Sequence, residues 1–146
     1  MNIAIMQPYF LPYLGYWQLM NMADIFVVYD NIQFSKKGWF HRNNILINGN
    51  KMLFTLPLKK DSDYLDVSDR CLAENSEKQI NKILDQIKHA YRKAPFFLDV
   101  FPMIEEIFLY NEKNLFKYTY NSIQLICKYL TIRTKIVISS TIDIDH

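Results

Sequence analysis

Cysteine, glycine and proline are all scarce in this chain of 146 residues, which holds two Cys, three Gly and five Pro. Cys71 and Cys127 are too few for a disulfide framework and lack the spacing of a metal-ligand pair. The expectation is a reduced, cytoplasmic protein whose thiols serve packing. So little Gly and Pro excludes a low-complexity or collagen-like chain. Charge of one sign is lacking too. The net charge is only +2, which argues against bulk nucleic-acid binding while leaving room for local basic clusters. No apolar run approaches the ~20 residues of a membrane span. The N-terminus has neither a charged n-region nor a small-residue cleavage site, so no signal peptide is expected. No internal repeat is found.

What the chain does have is apolar and aromatic mass. Half of the residues are hydrophobic and 15% are aromatic, with ten Tyr and ten Phe. That is enough for a sizeable core, and the length suits one domain spanning residues 1–146.

The first thirty positions organise the rest. Ile3-Ala4-Ile5-Met6 reads as a buried strand, residues 7–15 as a proline- and aromatic-rich loop, 16–22 as a short helix, and 25–29 as a second strand closed by Asp30. Parallel neighbours joined by a helix form a right-handed crossover. Ligands in such sheets bind beyond the carboxyl ends of the strands. Both the 7–15 loop and the 30–37 stretch fall there. In the first loop, Pro8 and Pro12 restrict helix at Gln7 and Leu11. Gly15 permits close approach at the helix start, where free amides suit a phosphate. Gln7, at a strand end, carries an amide that needs a partner.

Residues 30–44 are polar, basic and aromatic together. Lys36, Lys37, His41 and Arg42 are candidates to hold phosphate or carboxylate, Arg being best suited to bidentate contact. A solvated loop is the plainer reading of the lysines, and His41 alone is no general base. Asn48-Gly49 between two apolar runs is the strongest short hairpin signal. The hairpin either adds to the sheet or stands beside it. Residues 59–73, with Asp61, Asp63, Asp66 and Asp69, lack the spacing and glycine of a calcium loop and read as a solvated connection. Ser76 and Gln79 fit a capping box before a helix running to about Arg92. A second helical stretch covers 96–110, restarting at Pro102 as a first helical position. Asn114 caps a third helix reaching Leu130. The strand 134–138 ends in Ser139-Ser140-Thr141, hydroxyls that either line a phosphate site or cap the backbone. Strands of this class normally feed a helix. Here the expectation is either a terminal strand with a short tail or a piece of a longer protein.

The pieces Gln7-Pro8, Gly15-Tyr16, Ala23-Asp24, Asp30-Asn31-Ile32-Gln33-Phe34-Ser35-Lys36, Arg42-Asn43, Leu56-Pro57, residues 91–96 and Ser139-Ser140 together resemble the WbqC-like protein family. The resemblance covers nearly the whole chain. It implies a bacterial protein of surface polysaccharide (O-antigen) biosynthesis, a transferase that adds an acyl or aminoacyl group to a nucleotide-linked amino sugar. It also implies that this domain is short of the C-terminal part usual in the family. More distantly, Tyr13-Leu14-Gly15-Tyr16 and Ile138-Ser139-Ser140-Thr141 resemble the His-x-Gly-His and Ile-Ser-Ser-Thr-x-x-Arg motifs of nucleotidylyltransferases. Tyr13 and Tyr16 stand where that superfamily has histidines, and Asp143 or Ile144 where it has arginine.

The reading is therefore an α/β, Rossmann-like parallel sheet of the nucleotidylyltransferase (HUP) type with an inserted β-hairpin. Its expected substrate- or nucleotide-binding residues are Gln7, Pro8, Tyr13, Gly15, Tyr16, Asp30, Gln33, Lys36, Arg42, Asn43, Ser139 and Ser140. Tyr13 and Tyr16 would stack on or hydrogen-bond to the ligand, and Arg42 with Lys36 would neutralise it. No catalytic nucleophile stands out and no metal ligand set is expected. Mg2+ enters only if the chain is a nucleotidylyltransferase proper, the alternative to a transferase or to a non-catalytic nucleotide-sugar-binding module. The expected partner is a small nucleotide or nucleotide-sugar, and self-association is left open.

Overall fold

The computed structural model describes residues 1–143; Ile144, one of the two positions aligned with the arginine of the nucleotidylyltransferase motif, lies outside them. The elements in chain order are β1 (Ile3–Met6), α1 (Leu14–Met22), β2 (Ile25–Val28), β3 (Arg42–Ile47), β4 (Asn50–Thr55), α2 (Ser76–Tyr91), α3 (Phe97–Phe108), α4 (Leu115–Leu130) and β5 (Lys135–Ile138). Short 3-10 turns occupy Val67–Asp69 and Ser139–Thr141. The fold is α/β: a parallel three-stranded sheet in the order β1-β2-β5 with four helices, and a separate antiparallel β3-β4 pair. The hairpin thus stands beside the parallel sheet.

Strand alternation decides which side chains reach the core. Ala4, Met6, Phe26, Val28, Ile136 and Ile138 face the helices; Phe26 and Val28 belong to the main apolar cluster and the others pack against it. Ile3 pairs with Ile25, and Ile5 with Val27, which in turn pairs with Val137. These form the opposite face, where Ile3 and Ile5 are 53% and 63% exposed. The described helices therefore cover one face of the sheet. α1 turns Tyr16, Trp17 and Met20 inward, and Tyr16 meets Phe26 edge-on at 5.2 Å.

Local chemistry explains the hairpin turn and both ends of α4. Asn48 (φ 52) and Gly49 (φ 78) take the paired left-handed conformations of a type I′ turn, which matches strand twist. Asn114 Oδ1 accepts the Lys117 N–H at 2.9 Å and starts α4. Two expected ends are corrected. The N-cap of α2 is Asn75, and no capping box forms. Ser76 is buried within the helix, its Oγ accepting from Lys113 Nζ at 3.4 Å. Pro102 does not restart a helix but sits inside α3. The carbonyl it leaves unpaired belongs to Leu98, whose side chain is 84% exposed, so water can satisfy it.

α4 closes in a Schellman motif. Ile132 N–H donates to Cys127 O (3.0 Å) and Thr131 N–H to Lys128 O (3.3 Å). The left-handed residue is Thr131 (φ 55), exposed and β-branched, where glycine is usual. Thr131→Gly is expected to raise stability by about 1 kcal/mol by relieving this conformation. Urea denaturation would show it as a higher midpoint with an unchanged slope; an equal or lower midpoint refutes the strain.

Candidate functional site

The carboxyl ends of β2 and β5 lie side by side, Val28 pairing with Ile138. The residues that follow each strand, Asp30 and Ser139-Ser140, meet there. Asp30 Oδ1 accepts the Ser140 N–H at 2.9 Å, and its Oδ2 accepts the Ser140 hydroxyl at 2.7 Å. Ser139 Oγ accepts the Asp30 N–H at 3.1 Å. Its own proton lies within reach of Asp30 Oδ1 (2.9 Å) and Asn31 Oδ1 (2.5 Å), and it serves one of them at a time. Asp30 is only 3% exposed. Burial by itself raises its pKa, but the side-chain and backbone hydrogen bonds from Ser140 and the one from Ser139 outweigh it and hold the carboxyl below its ordinary value. The result is an ionised clamp that fastens the two strand ends together.

Beside the clamp opens a pocket of about 410 Å³. Asp30, Ser140 and Thr141 form the strand-edge wall, and Asn114, Lys117, Tyr120, Asn121 and Gln124 come from the start of α4 and its first turns. Helical spacing puts Lys117, Asn121 and Gln124 on one stripe. Asn114 has a dual role: besides capping α4 it donates Nδ2 to Ser68 O at 2.6 Å. Asn121 Nδ2 is buried and has no hydrogen-bond partner among the described residues. Amides, hydroxyls, one ammonium and tyrosine rings suit a polyhydroxylated ligand with an anionic part. Sequence reading missed the α4 contribution because a helix of apolar stripes reads as core. The one available signal was the polar row Lys117, Asn121 and Gln124 running beside that apolar face.

The other expected site residues go elsewhere. Arg42 gives Nε to Gly38 O at 3.1 Å and an Nη to Lys37 O, and lies 5.2 Å from the Trp39 ring. Asn43 Nδ2 donates to Phe10 O at 3.0 Å and Leu11 O at 2.5 Å, pinning the first loop to β3. Tyr16 is fully buried, and its hydroxyl donates to Gln7 O at 3.2 Å. Gln7 thus uses its main-chain carbonyl here. Pro8 is buried beside it. Tyr13 remains 61% exposed. A Cβ on Gly15 would meet the Tyr13 ring at 2.6 Å, so the glycine makes room for that ring in the first turn of α1. Gln33 Nε2 donates to Asp63 O at 3.1 Å, and Lys36 pairs with Asp63 at 2.8 Å. The structure brings together Asp30, Ser139 and Ser140, sets Lys36 on a different cleft with Gln33 tied to the Asp63 carbonyl, and leaves Tyr13, Gly15, Arg42 and Asn43 around the first loop.

The WbqC-like protein family matches residues 7–146. The chain belongs to this family. The uncharacterized protein Rv1507c of Mycobacterium tuberculosis is 25% identical over 136 residues, which cover 92% of this chain and 58% of that protein. The chain thus spans little more than half of that relative's length. No solved structure matches. The family match includes both halves of the Asp30–Ser140 clamp and all of α4.

Two further groups bear on chemistry. Cys127 is buried against Met20, and burial pushes its thiol up to about 11, which disfavours a thiolate at neutral pH. The 59–73 segment is not a simple solvated connection. Phe34 N–H donates to Leu65 O and Val67 N–H to Ile32 O, both at 2.9 Å, and Val67 is fully buried. Among the described residues, no helix is long and apolar enough to cross a membrane.

Proposed function

We propose that this chain binds a nucleotide-linked amino sugar at the β2–β5 edge and serves the transfer of an acyl or aminoacyl group to it in bacterial surface-polysaccharide (O-antigen) biosynthesis, in the cytoplasm. The observation that carries the reading is the ionised Asp30 clamp beside a pocket of about 410 Å³ whose largely apolar wall, with Phe116, Tyr120 and Ile138, also carries the amides of Asn121 and Gln124 and the hydroxyls of Ser140 and Thr141. The carboxyl edge of a parallel sheet is where such ligands are held. Family membership and the Ser139-Ser140 step support the same place, as does the inference that the sheet belongs to the nucleotidylyltransferase type. Asp30 positions the edge, Asn121 and Gln124 offer donors to sugar hydroxyls, and Lys117 faces the anionic part. Positioning and electrostatics then carry the chemistry.

A second reading, a binding module without turnover, is favoured by one specific feature: the Ser140 hydroxyl donates to Asp30 and the Ser139 hydroxyl to Asp30 or Asn31, without a histidine between. Isothermal titration with UDP-N-acetylglucosamine tests the site shared by both readings. Asn121→Leu is expected to weaken binding about tenfold, the worth of one well-placed hydrogen bond. It should leave folding intact, since Asn121 Nδ2 has no partner to lose. Unchanged affinity in the variant, or no heat with the parent chain, overturns the assignment.

A further inference from the structure

The 3-10 turn Val67–Asp69 separates two openings. Ser68 belongs to the sheet-edge pocket, while Arg70, just past the turn, lines a different cleft of about 690 Å³. Arg70 is 4% exposed. Its guanidinium lies 4.5 Å from the centre of the Phe34 ring, and its two Nη atoms donate to Ser62 O (3.1 Å) and Lys59 O (3.3 Å). Its Nε is buried and donates to nothing among the described residues, and no carboxylate pairs with it there. A buried guanidinium held only by neutral carbonyls is a charge without a counterion.

The surroundings do not supply one. Lys36, Lys59 and Lys60 line the same cleft against Asp61 and Asp63. Asp63 is already taken by Lys36 at 2.8 Å. With Arg70, four cations face two carboxylates, an excess of two positive charges. His41, 7% exposed, adds a second buried polar group: its Nδ1 also has no partner among the described residues. Its ring lies 5.1 Å from Phe34, so imidazole, phenyl and guanidinium are gathered on one wall. Burial first, then the charges of Arg42 and Arg70, hold His41 down to about 4, which keeps it neutral and leaves the excess charge on Arg70 and the lysines.

We propose that the Arg70–His41 cleft is an anion site for the phosphate group of a small molecule, separate from the sheet-edge pocket. Phosphate is preferred to a carboxylate because a dianion matches the two excess charges, whereas a monoanion leaves one unmatched. Arg70 provides the fixed, desolvated positive charge behind the cleft wall, beside the neutral His41 ring, and Lys59 and Lys60 the exposed rim whose ammonium groups draw the anion in and contact it.

The test is a titration of the full 146-residue chain with inorganic phosphate at pH 7.5, where it is mainly the dianion, followed by the NMR signals of the His41 ring and the Arg70 Nε–H group. Saturable shifts at both, weakening with added salt, are expected. The double variant Lys59→Gln, Lys60→Gln leaves Arg70 and the fold untouched and is expected to weaken the affinity about tenfold. Acetate is expected to shift these signals only at much higher concentration. Absence of saturable shifts at His41 and Arg70, shifts confined to Asn121 and Ser140, unchanged affinity in the double variant, or equal affinity for acetate each overturns the phosphate assignment. Because the two openings report through different residues, this outcome is independent of the result with UDP-N-acetylglucosamine.

Discussion

Phe10→Ala is expected to lower the stability of the chain by about 3–5 kcal/mol, the range for deleting a packed aromatic core side chain. Phe10 comes from the first loop, yet it is fully buried. Its ring meets Phe108 of α3 at 5.5 Å, Tyr118 of α4 at 5.6 Å and Phe54 of β4 at 6.3 Å. One side chain therefore joins the loop to the hairpin and to two helices. Its main chain is fixed as well, the N–H donating to Trp39 O at 3.3 Å and the carbonyl accepting from Asn43 at 3.0 Å. With the backbone held, the surroundings have little freedom to close over the cavity, which places the expected loss toward the upper end of the range. Urea denaturation by tryptophan fluorescence measures it. A loss below about 1 kcal/mol would mean that the loop is not part of the core.

The second large effect is a pH dependence carried by His41. Its folded-state pKa is about 4, against an ordinary value of 6.5, because burial and then Arg42 and Arg70 disfavour the imidazolium. Between those two values the unfolded chain binds more protons than the folded one, so stability rises with pH there. The contribution is complete above about 6.5, lost as pH falls, and gone below about 4. The full linkage figure is discounted for partial solvent screening, leaving about 2 kcal/mol. His41→Phe is the controlling variant: Nδ1 has no hydrogen bond to lose and the ring already packs beside Phe34. Denaturation midpoints between pH 4 and 7 are expected to slope in the parent and to flatten in the variant. An unchanged slope refutes the assignment. Asp30 does not blur this window. Its pKa is lowered, so its contribution is present above the ordinary carboxylate value and lost only as pH falls below it.

The same residues show how far sequence patterns reach. Asn48-Gly49, Asn114 and the β-branched runs of β1, β2 and β5 were legible because each acts on its own backbone within a few positions. Asp30 and Ser139-Ser140 were legible as strand-end residues, since any parallel sheet brings such ends to one edge. Arg42 and Asn43 were not. A guanidinium or amide looks the same in sequence whether it meets a ligand or a carbonyl, and here Gly38, Lys37, Phe10 and Leu11 take their donors. Arg70 passed unnoticed because it sits in an aspartate-rich segment that reads as solvated, and its burial depends on Phe34, far from it in the chain.

By itself the sequence determined the family, the α/β class, the hairpin, the Asn114-capped start of α4, and the sheet edge where Asp30 and the serines stand. Tertiary structure alone decided that the hairpin stays apart from the parallel sheet and that Phe10 is core. It also divided the polar residues between two openings on either side of the Val67–Asp69 turn. The physical reason is range. Caps, turns and alternation act over a few residues, whereas the fate of a buried charge or ring is set by groups that only long-range packing brings within reach.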